Sequence, residues 1–432
     1  MNLHGTMKTN DMGNLEIGGI DTVNLAKKYG TPLYVFDISH IKNNIRRYKT
    51  GFKHSKIDTE IIYASKAFLT IAMCKLIDSE GLSLDVVSGG ELYTAKKAGF
   101  PANKIYFHGN NKTVEELLFA LNFGVNKIVI DNEFELDMLE YLCAELDKNI
   151  DVMFRVNPGI EAHTHEYIQT SKNDSKFGIS IYSEDICKLV NKVTDSYYMT
   201  LKGFHYHIGS QILESSSYSK AIEVMGEFIK NVKDDCGYVT EELNMGGGFG
   251  VYYSEEDIDI DIGGCLKDVL VSLYEYCSAN KLKIPRALIE PGRSIVANAG
   301  TTLYKVGATK KTYGGKTFIF VDGGMTDNPR TALYDAIYEG AIANKIGDEC
   351  TCEYTIAGKC CESGDIIIKN IKLPEADKND IMAVFSTGAY NYSMASNYNR
   401  LRKPAVIFVE NGKSKVVVTR ETYEDIIRND VI

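Results

Sequence analysis

Eight short β-rich segments alternate with helical patterns between residues 61 and 292, and this alternation constrains the fold more than any other feature. The segments are 61–67, 82–88, 104–109, 127–131, 151–158, 203–210, 242–248 and 286–292. Strands separated by helices must pair in parallel, because each parallel connection needs a crossover long enough to hold a helix. Eight such units predict a (β/α)8 TIM barrel, with a doubly wound open sheet as the alternative.

The pattern changes after about residue 300, where strand-like segments recur with few helices between them. These segments are 302–310, 316–324, 352–359, 380–387, 404–411 and 413–420, and residues 30–37 resemble one more strand. We therefore expect an α/β plus β protein. A barrel spans residues 38–300, and residues 1–37 and 301–432 form a second, mostly β domain, sandwich or barrel-like, completed by the N-terminal strand.

Charge and hydropathy exclude several classes of protein. The net charge is −10, with acidic and basic residues mixed along the chain, whereas a nucleic-acid surface needs a basic patch. No apolar run approaches the roughly 20 residues of a membrane-spanning helix. The first residues lack the basic and apolar regions of a signal peptide. We expect a cytoplasmic protein with no nucleic-acid or membrane partner.

The chain has ten cysteines, which we expect to be reduced thiols in that compartment. Four of them cluster near the C-terminus, at Cys350, Cys352, Cys360 and Cys361. Their spacing differs from the Cys-x-x-Cys pairs of common zinc sites, so buried or turn cysteines are favoured over a zinc centre.

Polar residues follow nearly every predicted barrel strand. In a TIM barrel the carboxyl ends of the strands carry the active site, so we expect these side chains to converge. They are Lys66, Asp85, Ser88, His108, Asp131, Arg155, Asn157, His207, Gly246 to Gly248, Glu290 and Arg293.

Lys66 and the glycine run at 246–248 suggest two different functions at these strand ends. A lysine that is partly removed from water has a lowered pKa and can form a covalent imine, although an ordinary solvated lysine is the alternative. Successive glycines let backbone N–H groups surround a phosphate, and the loop after strand seven of such a barrel is a usual phosphate site. A plain tight turn is the alternative there.

The eighth strand ends in Glu290-Pro291-Gly292-Arg293. A carboxylate there could keep a pyridine nitrogen protonated and an arginine could bind a carboxylate or phosphate, although an internal ion pair explains the same residues. His205 and His207 lie two apart and share a face. No acidic residue completes a metal site with them, so an imidazole packed on a cofactor ring is favoured. His163 and His165 suggest a loop at the barrel rim.

Cys361 and Glu362 lie in the predicted β domain, within Cys-Glu-Ser-Gly-Asp. A thiol can donate a proton to a carbanion, and a carboxylate can pair with an amine. A β-turn with a buried cysteine is the alternative.

Together these motifs resemble the fold-type III pyridoxal-phosphate decarboxylases, the alanine racemase-like barrel group. The resemblance extends from Gly30 to Arg400. It is carried by the strings YASKA, DVVSGGEL, KFGI, HIGSQ, GGGFG, EPGR, DGG, ALYDA, CESGD and GAY.

The resemblance implies a role for each matching residue. Lys66 would carry pyridoxal 5'-phosphate, His207 would stack on its ring and Glu290 would bond the ring nitrogen. The cofactor's phosphate and surroundings would be formed by Ser210, Gly246, Gly247, Gly248, Pro291, Gly292, Arg293 and Tyr390. The substrate would be bound by Arg293, Arg330, Tyr334, Glu362 and Tyr390. Cys361 would be the proton donor, supplied by the second subunit of a homodimer, and no metal is implied.

The resemblance also implies a reaction, the decarboxylation of meso-2,6-diaminopimelate to L-lysine and CO2. Related decarboxylases of ornithine, arginine or carboxynorspermidine are the first alternative. A non-catalytic decarboxylase-like regulator is the second, although such a protein should have lost Lys66 or Cys361, and both are present.

Overall fold

The computed structural model describes residues 2–160, 175–255, 257 and 260–431. The chain divides into two compact units. One contains residues 45–250 and 259–292, and the other contains residues 1–44, 251–258 and 293–432. These divisions lie close to the boundaries at residues 38 and 300 that the sequence predicts, but they also assign residues 251–258 to the β-rich unit. His163 and His165 lie outside the described residues.

The N-terminal segment supplies a small sheet, one helix and a strand that joins a larger sheet. Its elements are β1 (Lys8–Thr9), β2 (Leu15–Ile17), β3 (Ile20–Asp21), α1 (Thr22–Tyr29), β4 (Leu33–Asp37) and α2 (Ile38–Gly51). Every residue of β4 is buried, as expected for a central strand.

The first unit contains a closed parallel barrel of eight strands, which confirms the TIM-barrel prediction. Its strands are β5 (Thr59–Ala64), β6 (Ser83–Val86), β7 (Ile105–Phe107), β8 (Lys127–Ile130), β9 (Ile150–Asn157), β11 (Met199–His205), β12 (Glu242–Asn244) and β13 (Arg286–Ile289), with β10 (Ile179–Ser180) added beside β9. The barrel closes because β13 pairs with β5 and β8 pairs with β9.

Helices follow most of these strands. They are α3 (Ile71–Ser79), α4 (Gly89–Ala98), α5 (Val114–Phe123), α6 (Glu133–Leu146), α7 (Ile186–Thr194), α8 (Ser215–Cys236) and α9 (Ile262–Ala279). Ser88, Thr113 and Asn132 precede α4, α5 and α6, and each side chain accepts a hydrogen bond from the backbone N–H three residues on. Such caps satisfy N–H groups that the first helical turn cannot pair, and they fix where each helix begins.

Apolar side chains fill the barrel interior, so the barrel is a packed core. Ile62, Val129, Met153 and Leu288 are fully buried there together with Tyr106. The Tyr106 hydroxyl donates to Glu60 Oε2 over 2.8 Å, near the amino end of the strands. Polar groups that can act on a ligand therefore concentrate at the opposite, carboxyl ends of the strands.

The second unit is mostly β, as predicted. Its further elements are α10 (Arg293–Val296), β14 (Gly300–Lys311), β15 (Thr317–Val321), α11 (Arg330–Tyr334), β16 (Gly340–Ile342), β17 (Cys352–Ala357), β18 (Ile366–Leu373), β19 (Ile381–Val384), β20 (Ala405–Glu410), β21 (Lys413–Val418) and α12 (Tyr423–Ile427). The main sheet runs β18-β17-β15-β14-β4-β20-β21. The N-terminal strand β4 lies antiparallel to β14 and parallel to β20, which confirms that it completes this domain.

One pair of cysteines differs from the expectation of reduced thiols. Cys187, in the first turn of α7, and Cys236, at the end of α8, form a disulfide with their Cα atoms 5.5 Å apart. The expectation is wrong for this pair because α7 and α8 pack against each other and bring together two residues far apart in sequence. The other eight cysteines are free thiols.

None of the described helices is both long and apolar enough to cross a membrane.

Candidate active site

Lys66 lies in a short 3₁₀ turn directly after β5, at the carboxyl end of the barrel. Its side chain is 42% exposed, and its Nζ lies 3.9 Å from Asp85 Oδ2 on the adjacent strand β6. Asp85 is buried, and burial raises the pKa of its carboxyl group against the opposing effects of His108 and Lys66. The amine is therefore accessible from the barrel mouth and lies beside an acidic group.

Glu290 follows β13, the other neighbour of β5, and its carboxylate is surrounded by hydrogen-bond donors. Asn244 Nδ2 donates to Oε1 over 2.7 Å, and His108 Nε2 lies 2.9 Å from the same oxygen. His205 Nε2 lies 3.1 Å from Oε2. Burial alone would raise the pKa of Glu290, but the two imidazoles lower it well below its usual range. The group is a buried, ionised carboxylate.

The two histidines of the sixth strand have different environments. Burial lowers the pKa of His205 to about 4, despite the opposing effect of Glu290. Burial, followed by the charges of Lys66 and Arg155, lowers the pKa of His207 well below its usual value. His207 Nδ1 accepts a hydrogen bond from the Gly247 backbone N–H over 3.3 Å, so the neutral ring carries its proton on Nε2. Both rings are neutral near pH 7.

The glycine run after β12 forms a turn that other residues could not adopt. Gly246 and Gly248 have φ angles of +65° and +98°. A Cβ atom at Gly247 would come within 2.2 Å of the Glu290 carbonyl oxygen. The backbone therefore passes very close to the end of β13 and carries no side chain of its own at this turn, which suits the approach of a phosphate group.

Other predicted residues of the barrel unit lie beside this turn. Ser210 is half-buried in the loop after β11, whose Ile212 N–H donates to the Gly248 carbonyl over 2.9 Å. The Pro291 carbonyl accepts from the Ala64 N–H over 3.1 Å, and Gly292 packs against Ala64. The ends of β5, β11, β12 and β13 are thus brought together, as the sequence predicts.

The β-rich unit contains a second group of predicted residues around two buried arginines. Arg293 Nη1 donates to the Tyr253 hydroxyl over 2.9 Å, and Arg330 Nη1 donates to the Tyr338 hydroxyl over 3.0 Å. The Arg330 guanidinium lies 4.8 Å from the centre of the Tyr253 ring. Although burial raises the pKa of Tyr253, Arg293 and Arg330 lower it below its usual value.

Tyr390 also belongs to this group, because the Arg293 guanidinium lies 4.8 Å from the centre of its half-buried ring. Burial lowers the pKa of Arg330, but neighbouring Tyr253 and Tyr338 raise it, and the result lies above the usual value. Two guanidinium groups thus lie among phenol rings. Such a group is suited to bind a carboxylate or phosphate.

The remaining predicted residues stand apart from this cluster. Tyr334 is half-buried at the end of α11, and it is Tyr338 that contacts Arg330. Cys361 and Glu362 are exposed, and the Cys361 backbone N–H donates to Asn399 Oδ1 over 2.7 Å. The structure of the single chain does not bring Cys361 or Glu362 to the two arginines.

The sequence offers no acidic partner for His205, but the structure corrects this, because the ligand atoms of His108, His205 and Glu290 lie within 4.8 Å of one another, close enough to hold a metal ion. In the part of the chain that the structure describes, Cys350, Cys352, Cys360 and Cys361 form no comparable group. Cys360 is buried, and burial raises the pKa of its thiol to about 11, so it is a poor metal ligand near pH 7.

Sequence reasoning missed Tyr253, Tyr338 and Asn244. Tyr253 lies five residues after Gly248, and Asn244 is the last residue of β12, so closer attention to the flanks of the glycine run could have found both. Tyr338 lies in a segment outside any helix or strand, and nothing in its sequence context points to Arg330.

Comparison with known proteins agrees with this geometry. Residues 38–297 match the family model described as pyridoxal-dependent decarboxylase, pyridoxal binding domain. The chain is 49% identical to the diaminopimelate decarboxylase of Bacillus subtilis over 431 residues, covering 100% of this chain and 98% of that one. It is 45% identical to the diaminopimelate decarboxylase of Staphylococcus aureus, with 98% and 99% covered.

Solved structures give the same result. The diaminopimelate decarboxylase of M. jannaschii in complex with L-lysine has a TM-score of 0.91 at 33% identity, covering 99% of this chain and 98% of that one. The Helicobacter pylori enzyme with L-lysine has a TM-score of 0.86 at 30% identity, covering 94% and 98%. The chain belongs to the pyridoxal-dependent decarboxylases and, among them, to the diaminopimelate decarboxylase family.

Proposed function

We propose that this chain is a pyridoxal-phosphate-dependent carboxy-lyase that converts meso-2,6-diaminopimelate to L-lysine and CO2. The observation that carries the proposal is the position of Lys66 and an ionised, buried Glu290 at the ends of two paired strands, β5 and β13. The family relationship supports it, since relatives that match over nearly the full chain are diaminopimelate decarboxylases.

The residues of the barrel unit fit pyridoxal 5'-phosphate. Lys66 offers an accessible amine, and the turn at Gly246, Gly247 and Gly248 passes so close to neighbouring backbone that a Cβ atom there would clash. When bound, the cofactor supplies a conjugated ring that accepts the electron pair released as CO2 leaves. Glu290 would hold a proton on the ring nitrogen, and His207, a neutral imidazole, would pack against the ring.

The phosphate of the cofactor would be held by the glycine turn, Ser210 and the Tyr390 hydroxyl, with Pro291, Gly292 and Arg293 adjoining. Backbone N–H groups and a hydroxyl are ordinary phosphate donors, and a nearby guanidinium balances the phosphate charge. Lys66 would hold the cofactor through its amine.

Recognition of the substrate's distal end would fall to Arg293, Arg330, Tyr334, Glu362 and Tyr390. Buried guanidinium groups among phenol rings favour a planar carboxylate, which accepts two parallel hydrogen bonds from one arginine. Glu362 lies next to Cys361 and apart from the two arginines within one chain, so it would supply a negative charge for the distal ammonium group from the second subunit. Together these groups select a substrate that carries an amino-acid group at each end.

Cys361 would deliver the proton that replaces CO2, from the second subunit of a homodimer. The thiol is exposed in the single chain, as a group that acts on a partner subunit must be before assembly. We infer a cytoplasmic enzyme with a small amino-acid substrate, and the net charge of −10 argues against a nucleic-acid partner.

A broader basic-amino-acid decarboxylase is the second candidate. The fold is shared with a lysine/ornithine decarboxylase from Vibrio vulnificus, at a TM-score of 0.74 and 22% identity. Arg293 and Arg330 argue against this alternative, since ornithine and lysine have no distal carboxylate to pair with them.

We expect borohydride treatment of the cofactor-loaded protein to fix the cofactor to Lys66 and to no other lysine. Peptide mapping by mass spectrometry locates the label. Lys112 is an internal comparison, because its buried Nζ is held by Glu135 at 2.6 Å and by two backbone carbonyls. A label on Lys112, or an unchanged label in Lys66→Ala protein, would contradict the site assignment.

We expect mixtures of Lys66→Ala and Cys361→Ala subunits to regain activity that neither variant has alone. In a dimer of one Lys66→Ala and one Cys361→Ala subunit with shared sites, one site carries both substitutions and the other carries neither. Activity is measured on purified hybrids with meso-diaminopimelate. The control mixes Lys66→Ala with the double variant, which leaves no intact site. Verified hybrids without activity would show that each site is built from one subunit.

A further inference from the structure

The Glu290 carboxylate has four acceptor positions, two on each oxygen, and its surroundings fill them unequally. Asn244 Nδ2 donates to Oε1 over 2.7 Å, and His108 Nε2 lies 2.9 Å from the same oxygen, close to it but not aligned as a hydrogen bond. Among the described residues, Oε2 has one close donor, His205 Nε2 at 3.1 Å. One acceptor position of Oε2 is therefore left for a further donor.

The donors come from three different strands and restrain the carboxylate from several directions. His108 follows β7, His205 is the last residue of β11 and Asn244 is the last residue of β12. The two imidazole rings also orient each other, since their centroids lie 4.7 Å apart with an edge-to-face angle of 73°. Both histidines are almost fully buried, so neither ring can turn freely.

A neutral donor such as His205 preserves the negative charge that this site needs. An arginine or lysine beside Glu290 would neutralise the carboxylate, whereas an uncharged N–H group stabilises it and leaves its charge intact. Burial keeps His205 neutral, with a pKa of about 4. Other charged groups near this carboxylate are Asp85 on β6, Arg155 on β9 and, beyond Asp85, Lys66 after β5.

We propose that His108 and His205 are positioning residues, which hold Glu290 in one orientation and leave one acceptor site on Oε2 for an aromatic N–H donor. This inference rests on the proposed function, in which that donor is the ring nitrogen of pyridoxal phosphate. A carboxylate free to rotate would accept from other donors part of the time, and the pKa of the ring nitrogen would be lower.

The test measures the ring nitrogen itself. The protein is loaded with pyridoxal phosphate carrying ¹⁵N in the ring, and the nitrogen chemical shift is followed against pH in wild-type, His108→Leu and His205→Leu protein. We expect a protonated nitrogen throughout in wild type and loss of that proton at lower pH in each leucine variant. The value of kcat should fall by about tenfold to several hundredfold, with little change in KM.

Glutamine variants separate positioning from packing. His108→Gln and His205→Gln keep an N–H donor, so we expect them to recover most of the wild-type nitrogen shift. Tyr206→Phe is the matched control, because Tyr206 is a buried neighbour of His205 that makes no contact with Glu290 among those described. It should leave the shift unchanged. If His108→Leu does not fold, it is replaced by His108→Asn, whose shorter side chain does not reach Oε1.

Two results would overturn the proposal, and they differ from a failure of the proposed function. Folded, loaded leucine variants with a wild-type nitrogen shift would show that the histidines only pack. An unprotonated ring nitrogen in wild type would show that Oε2 receives no N–H donor. Protein that does not bind pyridoxal phosphate at all would instead contradict the proposed function.

Discussion

Wild-type protein should decarboxylate meso-diaminopimelate with a kcat/KM roughly 10⁴-fold or more above that for lysine, ornithine or arginine. The physical reason is the buried pair Arg293 and Arg330. A substrate without a distal carboxylate would leave these guanidinium groups without an anionic partner, and sites built around polar groups reject such analogues strongly. Competition assays that follow CO2 release from each amino acid measure this ratio.

Arg330 variants test which residue supplies the discrimination. Arg330→Ala should lower kcat/KM for diaminopimelate without changing the spectrum of the bound cofactor. Arg330→Lys keeps the charge but loses the planar fork, so it should recover only part of the activity. The control is Arg428→Ala, since Arg428 is exposed and pairs only with nearby Asp425 among the described residues. Comparable kcat/KM for ornithine and diaminopimelate in wild type would favour the broader decarboxylase.

Replacing Glu290 by Gln should lower kcat by about 10²–10³, or about 3–4 kcal/mol, while the cofactor stays bound. Glutamine removes the negative charge that holds the ring proton. It also places an amide NH2 group against donors from His108, His205 and Asn244. Steady-state kinetics together with the absorbance spectrum of the loaded protein separate loss of catalysis from loss of cofactor.

The same variant should change how stability depends on pH. The pKa of Glu290 in the folded protein lies below its ordinary value of 4.5. The ionised group therefore contributes stability above about pH 4.5, and that contribution is lost as the pH falls through the folded pKa. Denaturant unfolding of cofactor-free protein should be less steeply acid-sensitive for Glu290→Gln. Identical acid profiles and wild-type kcat would contradict the assigned role.

The barrel could be predicted from the sequence because its signal is local and repeated. Each strand is a short apolar segment, and Lys66, His108 and Glu290 appear in the sequence where those segments end. A parallel barrel brings such ends together whatever the loops contain. The convergence of these residues therefore followed from topology alone.

Partners across the fold could not be read in the same way. The contact of Asn244 with Glu290 depends on the neighbouring registers of β12 and β13, and Tyr338 meets Arg330 through an irregular segment. The strand β18 also went unpredicted, although its residues Ile366–Leu373 are rich in isoleucine. The Cys187–Cys236 bond depends on how two helices pack, which spacing in sequence does not encode.

The pairing of β4 has a consequence for how the chain is made. β4 ends at Asp37, but its neighbour β20 begins at Ala405, near the other end of the chain. A ribosome adds about 5–20 residues per second, so β4 would wait roughly 20–70 s for β20 to be synthesised. The barrel strands emerge during that interval and can close first. Its other neighbour, β14, begins at Gly300, so β4 has no partner while the barrel is made and keeps one unpaired edge until β20 emerges. An apolar strand in that state is a segment that a chaperone would protect during translation.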